Sequence, residues 1–378
     1  MKLIAFLLPQ FHRIPENDCW WGEGFTEWTN TRKSRPLYRG HMQPKEPLDD
    51  YYYDLTDREA RQWQADLARA YGIYGFCYYH YWFKGKRLLE KPFNQVLRLG
   101  EPHFPFCLSW ANEAWTRKWD GGNQHILQPQ DYGTEHDWKH HFYDLLEAFK
   151  DERYIRVNGK PLFLIYRPGN IPRCEEMLKF WNRLAARNGL EGIHFVRTLG
   201  GFPVPQQKGF DASVEFEPHY TFAHHHSENL WNYITSARTQ HLIVDYDGIW
   251  QSVLGRSPHR GGEMVYPGAF VNWDNTPRLA EKGQSCIGAS PDKFRYYLSL
   301  QLRRAASVYQ SEFLFINAWN EWAEGAYLEP DRHYRYRYLE AVKQALEENG
   351  LYSLQAASRA DKAEAPHSAK RPAYIEAT

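Results

Sequence analysis

Short apolar runs recur along the chain, and polar segments with helical periodicity separate them. Each run is four to eight residues long, which is the length of a strand rather than of a helix. Continuous apolar runs of this length are typical of strands that are buried on both faces, as in a parallel sheet. We therefore predict eight strands, at Leu3–Leu8, Ile73–Tyr79, Phe104–Trp110, Pro161–Tyr166, Ile193–Val196, Ala212–Phe216, Met264–Val271 and Phe313–Ala318.

The segments between the runs carry helix signals. Thr56 and Glu59 have the spacing of a capping box, and an amphipathic stretch follows them. Ser290 and Pro291 are typical of an N-cap and a first helical position. Similar patterns predict helices near residues 135–150, 173–188 and 335–348.

Alternating strands and helices indicate either a barrel or a doubly wound sheet. No G-x-G-x-x-G loop follows the first predicted strand, so the usual mark of a dinucleotide-binding sheet is missing. Polar and aromatic clusters follow several strands, whose carboxyl ends would meet at one face of a barrel. We predict one (β/α)8 barrel over residues 1–351, with long loop insertions, and a flexible tail over 352–378, where periodicity is lost.

Composition limits the partners of this barrel. The chain has 46 basic (Lys and Arg) and 46 acidic residues, which disfavours nucleic acid as a substrate. Aromatic residues make up 16%, with 15 Trp and 26 Tyr, and many of them stand beside carboxylates and amides. Aromatic rings stack on the apolar face of a sugar while polar groups bind its hydroxyls, so a carbohydrate is the expected ligand.

Cysteine content and the amino terminus bear on location. The five cysteines form no C-x-x-C pair and are odd in number, which suits free thiols in a reducing compartment. The first apolar run stops at Pro9 without a cleavage site for a signal peptide, and no stretch is long enough to span a membrane. We expect a cytoplasmic protein without a membrane span; the oligomeric state is left open.

The richest chemistry follows the eighth predicted strand. Glu321 and Glu324 come directly after this apolar run, beside Trp319, Asn320 and Trp322. Two carboxylates three residues apart repel each other, and flanking tryptophans would desolvate them, so one of them should bind its proton more tightly. A carboxyl group that stays protonated near neutral pH is what glycosidic bond cleavage needs. A glutamate pair that merely caps a helix is the structural alternative.

Other polar and aromatic residues at strand ends are expected to surround this pair. With the three neighbours just named, the predicted sugar-binding residues are Gln10, His12, Trp20, Trp21, Glu23, Tyr79, His80, Trp82, Trp110, Asn112, Glu113, Trp115, Glu215, Asn272, Trp273 and Asp274. Glu217 and His219 belong to the same strand-end clusters. Glu113 and Glu215 are also the main alternatives for a conventional second carboxylate.

Several motifs give the chain a family resemblance. Residues 321–330 resemble the Glu-Trp-His-Glu-Gly signature of glycoside hydrolase family 99, the endo-α-mannosidases, with Ala323 in place of the family's His. Residues 1–345 resemble the related WbsX-type bacterial proteins, which are associated with lipopolysaccharide biosynthesis. The motifs that carry the latter are Leu8–His12, Trp20–Trp28, Tyr79–Trp82, Trp110–Glu113 and Trp319–Trp322.

The resemblance to family 99 implies a (β/α)8 barrel and a retaining mechanism that uses the substrate's own 2-hydroxyl as nucleophile. By position, Glu321 would be the base that deprotonates this hydroxyl. Glu324 would be the acid that protonates the leaving oxygen and then the base that activates water. An axial 2-hydroxyl occurs in α-mannosides and in D-rhamnose, which is 6-deoxymannose, so both are expected substrates.

Two motifs that suggest metal binding are weak. His224, His225 and His226 are adjacent and lack a companion cluster with metal-ligand spacing. Asp245 and Asp247 have the D-x-D form found in nucleotide-sugar transferases, but Asp247 is expected to cap a helix. We predict no metal and no cofactor.

The sequence thus favours a glycoside hydrolase that cleaves α-linked mannose or D-rhamnose in a bacterial polysaccharide or O-antigen. A glycosyltransferase of lipopolysaccharide or O-antigen biosynthesis is the first alternative, and a glycan-binding barrel without catalysis is the second.

Overall fold

The barrel is closed by eight parallel strands. The computed structural model describes residues 1–117, 122–203, 207–224, 242–258 and 262–352. The first four barrel strands are Lys2–Leu7, Ile73–Phe83, Phe106–Trp110 and Lys160–Ile165. The fifth and sixth are His194–Leu199 and Ala212–Glu215, the seventh has two halves, Met264–Tyr266 and Gly268–Phe270, and the eighth is Phe313–Asn317. All eight predicted strands are confirmed, and so is the (β/α)8 fold.

The seventh strand closes the ring in two steps. Its first half pairs with the sixth strand in the register Ala212 to Met264, and its second half pairs with the eighth strand in the register Gly268 to Phe315. Pro267 separates the halves because it has no N–H to donate, yet its carbonyl accepts from the Phe315 N–H at 3.0 Å. The first strand pairs with both the eighth and the second, so the ring is continuous.

Helices separate most of the barrel strands. In the described ranges they are Pro15–Trp21, Glu27–Lys33, Arg58–Ala70, Lys91–Leu99, Glu135–Lys150, Cys174–Arg187, His219–His224, Tyr246–Gly255, Thr276–Leu279, Pro291–Ser307 and Arg337–Glu348. Ser290 caps its helix as predicted, since its hydroxyl accepts from the Lys293 N–H. The predicted capping box at Thr56 is wrong: the helix begins at Arg58, and the Thr56 hydroxyl donates to Asp54 instead.

Several short strand pairs lie outside the ring of barrel strands. The second barrel strand runs on into a hairpin with Lys86–Leu88, and Arg156–Val157 leads into the fourth strand. Two further pairs lie in the loops, Trp115–Arg117 with Gly122–Gln128 and Leu242–Asp245 with Gln284–Ile287. The pair that matters most for the site is Asn320–Glu321 with Ala326–Tyr327, which follows the eighth strand.

The core is aromatic and continuous. Phe6 from the first strand packs against Phe216 and Phe315 inside the barrel, with ring centroids 5.1 and 5.7 Å apart. Near the carboxyl end of the chain, the Tyr352 hydroxyl donates to the Ala70 carbonyl at 3.0 Å, and the rest of the predicted tail lies outside the described residues. All five cysteines are free thiols. None of the described helices combines the length and the hydropathy of a membrane span.

Candidate active site

A tight hairpin carries the two glutamates at the carboxyl end of the eighth strand. Residues Asn320 and Glu321 pair with Tyr327 and Ala326, and a single 3-10 turn, Trp322–Glu324, connects them. Gly325 completes the turn with φ 64°, a left-handed conformation that disfavours a side chain. A Cβ at Gly325 would also come within 2.9 Å of the Asp274 Cβ, so the hairpin and the loop after the seventh strand fit closely together.

The base of this hairpin is tied to the first strand. The side-chain oxygen of Asn320 accepts from the Leu8 N–H at 2.7 Å, and its amide nitrogen donates to the Leu8 carbonyl at 3.0 Å. Asn320 is fully buried, and its role in sugar binding stays a prediction. Its side-chain amide makes two hydrogen bonds to the backbone of Leu8, like those between paired strands, beyond the paired parts of the first and eighth strands.

Arg278 joins three glutamates in the centre of the site. It lies on the short helix Thr276–Leu279, which follows the seventh strand. One terminal nitrogen, Nη2, lies 3.0 Å from Oε2 of Glu321, and the other, Nη1, contacts Oε1 of Glu324. Nε donates to Oε1 of Glu27 at 2.9 Å. The structure therefore brings Glu321 and Glu324 onto one guanidinium group.

The third glutamate is deeply buried. Glu27 begins the helix Glu27–Lys33 and is 0% exposed. Its second oxygen, Oε2, accepts from the side-chain amide of Gln10 at 2.9 Å, and its backbone N–H donates to the Gln10 carbonyl at 2.9 Å. Gln10 was predicted to bind sugar, but in the structure it is buried and positions Glu27.

Burial and like charges shift the pKa values of the cluster. Burial, and then the charge of Glu324, raise the pKa of Glu321 to about 8, although Arg278 acts in the opposite direction. Burial also raises the pKa of Glu27, while the glutamates hold the pKa of Arg278 well above its usual range. These shifts favour the retention of one proton within the glutamate pair, in the direction that the sequence predicts.

Three tyrosines surround the pair. Burial and then the charge of Glu321 raise the pKa of Tyr79 and of Tyr81, which lie on the second strand. Burial and then the charge of Glu113 raise the pKa of Tyr166, at the end of the fourth strand, and Glu324 and Glu321 contribute in the same direction. Tyr79 was predicted to lie at the site, whereas Tyr81 and Tyr166 were missed. Their shared signal in the sequence is a strand-end position.

The other face of the second strand points away from the site. His80 is buried, with its Nε2 2.8 Å from Nε2 of His141 on the helix Glu135–Lys150. Trp82 stacks on the His141 ring at 4.5 Å, and the indole of buried Trp110 donates to the Trp82 carbonyl at 3.2 Å. These side chains pack between the barrel and its helices, so the structure does not bring His80, Trp82 and Trp110 together with the glutamate pair, and their sugar contacts stay predictions.

The side chains of three further predicted sugar-binding residues form hydrogen bonds with other groups of the protein. His12 is buried, and its Nδ1 lies 2.9 Å from the Pro9 carbonyl. The Asn112 side chain exchanges two hydrogen bonds with the backbone of Arg167, at 2.7 and 2.8 Å. Both oxygens of Asp274 accept bonds, one from His41 and Gln43 and the other from Thr276. These side chains hold loops in place, and their sugar contacts stay predictions; Nε2 of His12 is buried without a hydrogen-bond partner within the described residues.

Glu215 belongs to a separate buried cluster. With Glu217 it forms ion pairs with Arg256, and both of its oxygens also accept from the Tyr309 hydroxyl, at 3.0 and 3.2 Å. Both carboxylates are about 1% exposed. Glu215 is thus engaged within the protein, and its sugar contact and its alternative role as a second carboxylate stay predictions.

The tryptophans beside the glutamates form a buried layer. Trp319 packs against Phe76 at 5.1 Å, and Trp322 stacks on Tyr327 at 3.9 Å. The Trp322 indole donates to Glu329 at 2.7 Å, and neither ring is more than 1% exposed. Both rings are packed within the protein, and the sugar contacts of Trp319 and Trp322 stay predictions.

The remaining candidates line the mouth of the barrel. Trp115 is half-buried and packs against Trp20 at 5.8 Å and Tyr81 at 5.1 Å, which links the tyrosines to the outer surface. Trp21 is also half-buried, and Glu23 is exposed. Glu113 pairs with Arg167 at 2.6 Å. These residues stay predicted sugar contacts.

Asn272 and Trp273 follow the seventh strand. Trp273 packs its ring against His219 at 4.4 Å. The Trp273 indole N–H and the Asn272 side-chain oxygen are buried without a hydrogen-bond partner within the described residues. Buried polar groups are normally satisfied, and both residues stay candidates.

The described residues of the two weak metal motifs have partners within the protein. Asp245, not Asp247, caps its helix by accepting from the Gly248 N–H at 2.8 Å. Asp247 binds Lys293 and the Tyr297 hydroxyl, so both D-x-D carboxylates are engaged. His224 contacts the Phe202 carbonyl, while His225 and His226 lie outside the described residues. No group of three metal-ligating side chains occurs within the described ranges.

Comparison with known proteins assigns the family. Residues 3–342 match the family described as Glycosyltransferase WbsX. The chain belongs to the WbsX family. It is 40% identical over 353 residues to the uncharacterized protein WxcX of Xanthomonas campestris pv. campestris, from strains B100 and ATCC 33913. The match covers 91% of this WbsX family member but 49% of WxcX, so the chain spans about half the length of the curated relatives it matches.

Solved structures show the same fold at low identity. A family 99 endo-α-mannosidase from Bacteroides thetaiotaomicron, in complex with bis-tris propane, has a TM-score of 0.55 and 12% identity. The alignment covers 95% of the WbsX chain and 98% of the mannosidase. A glycoside hydrolase-like protein has a TM-score of 0.56 and 14% identity, with coverage of 92% and 93%. The WbsX chain thus has a glycoside hydrolase-like barrel.

Proposed function

We propose that the chain is a retaining glycoside hydrolase that cleaves α-linked mannose or D-rhamnose residues of a bacterial polysaccharide or O-antigen. The observation that supports this most is the contact of Glu321 and Glu324 with one guanidinium at the carboxyl end of the eighth strand. Substrate sites of such barrels lie at this end. The half-buried tryptophans Trp20, Trp21 and Trp115 near the tyrosines suit a sugar chain.

The proposed reaction uses the substrate's own hydroxyl. In an α-mannoside the axial 2-hydroxyl is trans to the leaving group, so its oxygen can attack the anomeric carbon from behind. Glu321 takes the hydroxyl proton as the new C–O bond forms, and Glu324 protonates the departing oxygen as the old bond breaks. Glu324 then takes a proton from water, which attacks the anomeric carbon and opens the 1,2-anhydro sugar, and Glu321 returns its proton to the 2-oxygen.

This division of roles fits the position of the two glutamates. A conventional retaining pair flanks the scissile bond from two sides at about 5–5.5 Å. Glu321 and Glu324 come from one hairpin and bind neighbouring nitrogens of Arg278. The pair retains a proton through neutral pH, since the pKa of Glu321 is raised to about 8. One proton in the pair is what this reaction needs, because one group donates while the other accepts.

Turnover of defined polysaccharides tests the proposal. Incubating the protein with α-mannans and D-rhamnans should release oligosaccharides whose new reducing ends first appear as the α-anomer. The Glu324→Gln variant should lose at least about 100-fold in rate, because general acid–base catalysis contributes roughly that much. Glu312→Gln is the matched control, since Glu312 is exposed and its carboxylate pairs with Lys2 at the start of the first strand. Undiminished turnover by Glu324→Gln would contradict the assignment.

The family description supports a second candidate, a glycosyltransferase. Charge argues against it, because the centre of the site has three carboxylates around one guanidinium, which would repel the diphosphate of a nucleotide sugar. Calorimetry with GDP- and UDP-sugars in the presence of Mn²⁺ separates the two candidates. We expect no binding at millimolar nucleotide sugar, and micromolar affinity would favour the transferase.

A further inference from the structure

A second set of buried residues lies behind the two glutamates. The geometry points to Arg278, held in place by Glu27, as the positioning residue that fixes Glu321 and Glu324 relative to each other. This inference rests on the proposed function, since it assigns a role within the same site. Three observations support it: the contacts of the guanidinium, the burial of Glu27, and the hydrogen bonds that anchor Glu27 and the helix of Arg278.

Glu321 and Glu324 each contact a different nitrogen of the Arg278 guanidinium. Nη1 contacts Glu324 and Nη2 contacts Glu321 at 3.0 Å, while Nε and Nη2 share Oε1 of Glu27 at 2.9 and 2.8 Å. These nitrogens form a rigid planar fork, so fixing the plane fixes where the two carboxylates bind. A lysine at this position would provide the charge but only one nitrogen, and it could not hold both carboxylates at set positions.

Glu27 holds the fork but is out of reach of a substrate. Its side chain is fully buried, and its two oxygens are used by Arg278 and by Gln10. The helix that carries Arg278 is anchored separately, because the Thr276 hydroxyl donates to Asp274 at 2.7 Å. Arg278 is therefore fixed at its backbone and at its guanidinium before any sugar arrives. Glu27 acts only through Arg278, and we describe both as positioning residues.

The two charges act in opposite directions on the catalytic pair. The positive charge of Arg278 lowers the pKa of Glu321, whereas the negative charge of Glu27 raises it. The titratable groups that face Glu321 are Glu324 on its own hairpin, Arg278 after the seventh strand, Glu27 on the first loop, Tyr79 and Tyr81 on the second strand, and Tyr166 after the fourth strand. Removing Arg278 or Glu27 should consequently shift the titration of the pair in opposite directions, which a purely structural role would not do.

The experiment measures this titration directly, and independently of turnover. Carbon-13 NMR of the full chain, labelled at glutamate side-chain carboxyls, follows the carboxyl group that titrates near pH 8, assigned by its loss in Glu321→Gln. Arg278→Gln should raise this pKa and Glu27→Gln should lower it, each by about one pH unit or more, as for a charge within hydrogen-bond range. The Arg278→Lys variant should keep the wild-type pKa, because the charge is retained.

A second readout tests the positioning itself. Arg278→Lys should nevertheless lose roughly tenfold or more in kcat, with KM little changed, because misplacement of catalytic groups by about 1 Å can cost about 100-fold. Arg332→Gln is the matched control, since Arg332 is an exposed arginine that binds two carboxylates, Glu46 and Asp50, away from the site. It should leave both the titration and kcat unchanged.

The outcomes separate this inference from the proposed function. Shifts of the same sign, or no shift, in Arg278→Gln and Glu27→Gln would overturn the positioning role. Opposite shifts with no turnover of any mannan or rhamnan would support the positioning role while contradicting the hydrolase. If either single variant fails to fold, the double variant Glu27→Gln/Arg278→Gln leaves no unpaired charge of that pair. Its carboxyl titration should stay within about one pH unit of the wild type, because the effects of the two lost charges oppose each other, and a larger shift would count against the inference.

Discussion

At the scale of single residues, the sequence identified the chemical groups but not their partners. Glu321 and Glu324 were evident because they are neighbours that follow one apolar strand. Arg278 and Glu27 are 251 residues apart in sequence and meet through an ion pair of 2.8 Å. Nothing local marks such a contact: an arginine near a short helix and a glutamate at a helix start are ordinary surface features until the fold places both in the interior.

The raised pKa of Glu321 sets a limit on the pH range of activity. The proposed reaction needs one proton in the glutamate pair, and the pair loses this proton as pH rises through about 8. We therefore expect kcat/KM to fall above pH 8, close to tenfold for each further pH unit, because a single group is deprotonated. Measuring kcat/KM between pH 5 and 10 on an α-mannan tests this, and a rate that keeps rising to pH 10 would contradict it.

At the scale of elements, the strands could be predicted but the faces of their side chains could not. Strands buried on both sides are apolar on both sides, so the run Ile73–Tyr79 gave its position without its orientation. Successive side chains of a strand point to opposite faces, which puts Tyr79 and Tyr81 at the site and His80 and Trp82 against the helix Glu135–Lys150. A site prediction that is wrong by one position along the strand therefore names a core residue instead of a residue that faces the site.

Two tyrosines of the second strand provide a matched test of this alternation. Tyr81 lies close to Glu321, whereas Tyr78 lies on the opposite face and packs against Phe93 at 5.3 Å. Tyr81→Phe should weaken binding of a manno-configured iminosugar by roughly five- to tenfold, the usual effect of about 1 kcal/mol for one lost hydrogen bond. Tyr78→Phe should leave the affinity unchanged. Calorimetry measures both, and equal affinities for the two variants would mean that Tyr81 does not contact the sugar.

At the scale of the whole molecule, closure of the ring is what assembles the site. Its charged residues come from the loops after the first, seventh and eighth strands, and the tyrosines come from the second and fourth. Parallel strands that close into a barrel bring their carboxyl ends together whatever their separation in sequence. The same closure leaves an outer layer between strands and helices, where polar residues such as Glu215 and His80 are buried with protein partners.

That outer layer makes the stability of the molecule depend on pH. Burial lowers the pKa of His80 to about 3 and holds the pKa of His141 well below its usual value of 6.5. The unfolded chain therefore binds more protons than the folded chain between about pH 3 and 6.5, so the free energy of unfolding is highest above pH 6.5 and decreases as pH falls below it. Each histidine contributes a slope of up to about 1.4 kcal/mol per pH unit.

Replacing His141 by Phe tests this origin of acid sensitivity. The variant should be less stable than the wild type at pH 7.5, because His80 loses the hydrogen bond between its Nε2 and His141. Its stability should nevertheless fall less steeply between pH 6.5 and 5, since one proton-binding group of the unfolded chain is gone. Urea unfolding at several pH values measures both effects, with His103→Gln as the control because His103 is exposed. Parallel pH profiles of wild type and His141→Phe would show that the buried histidine pair does not cause the acid sensitivity.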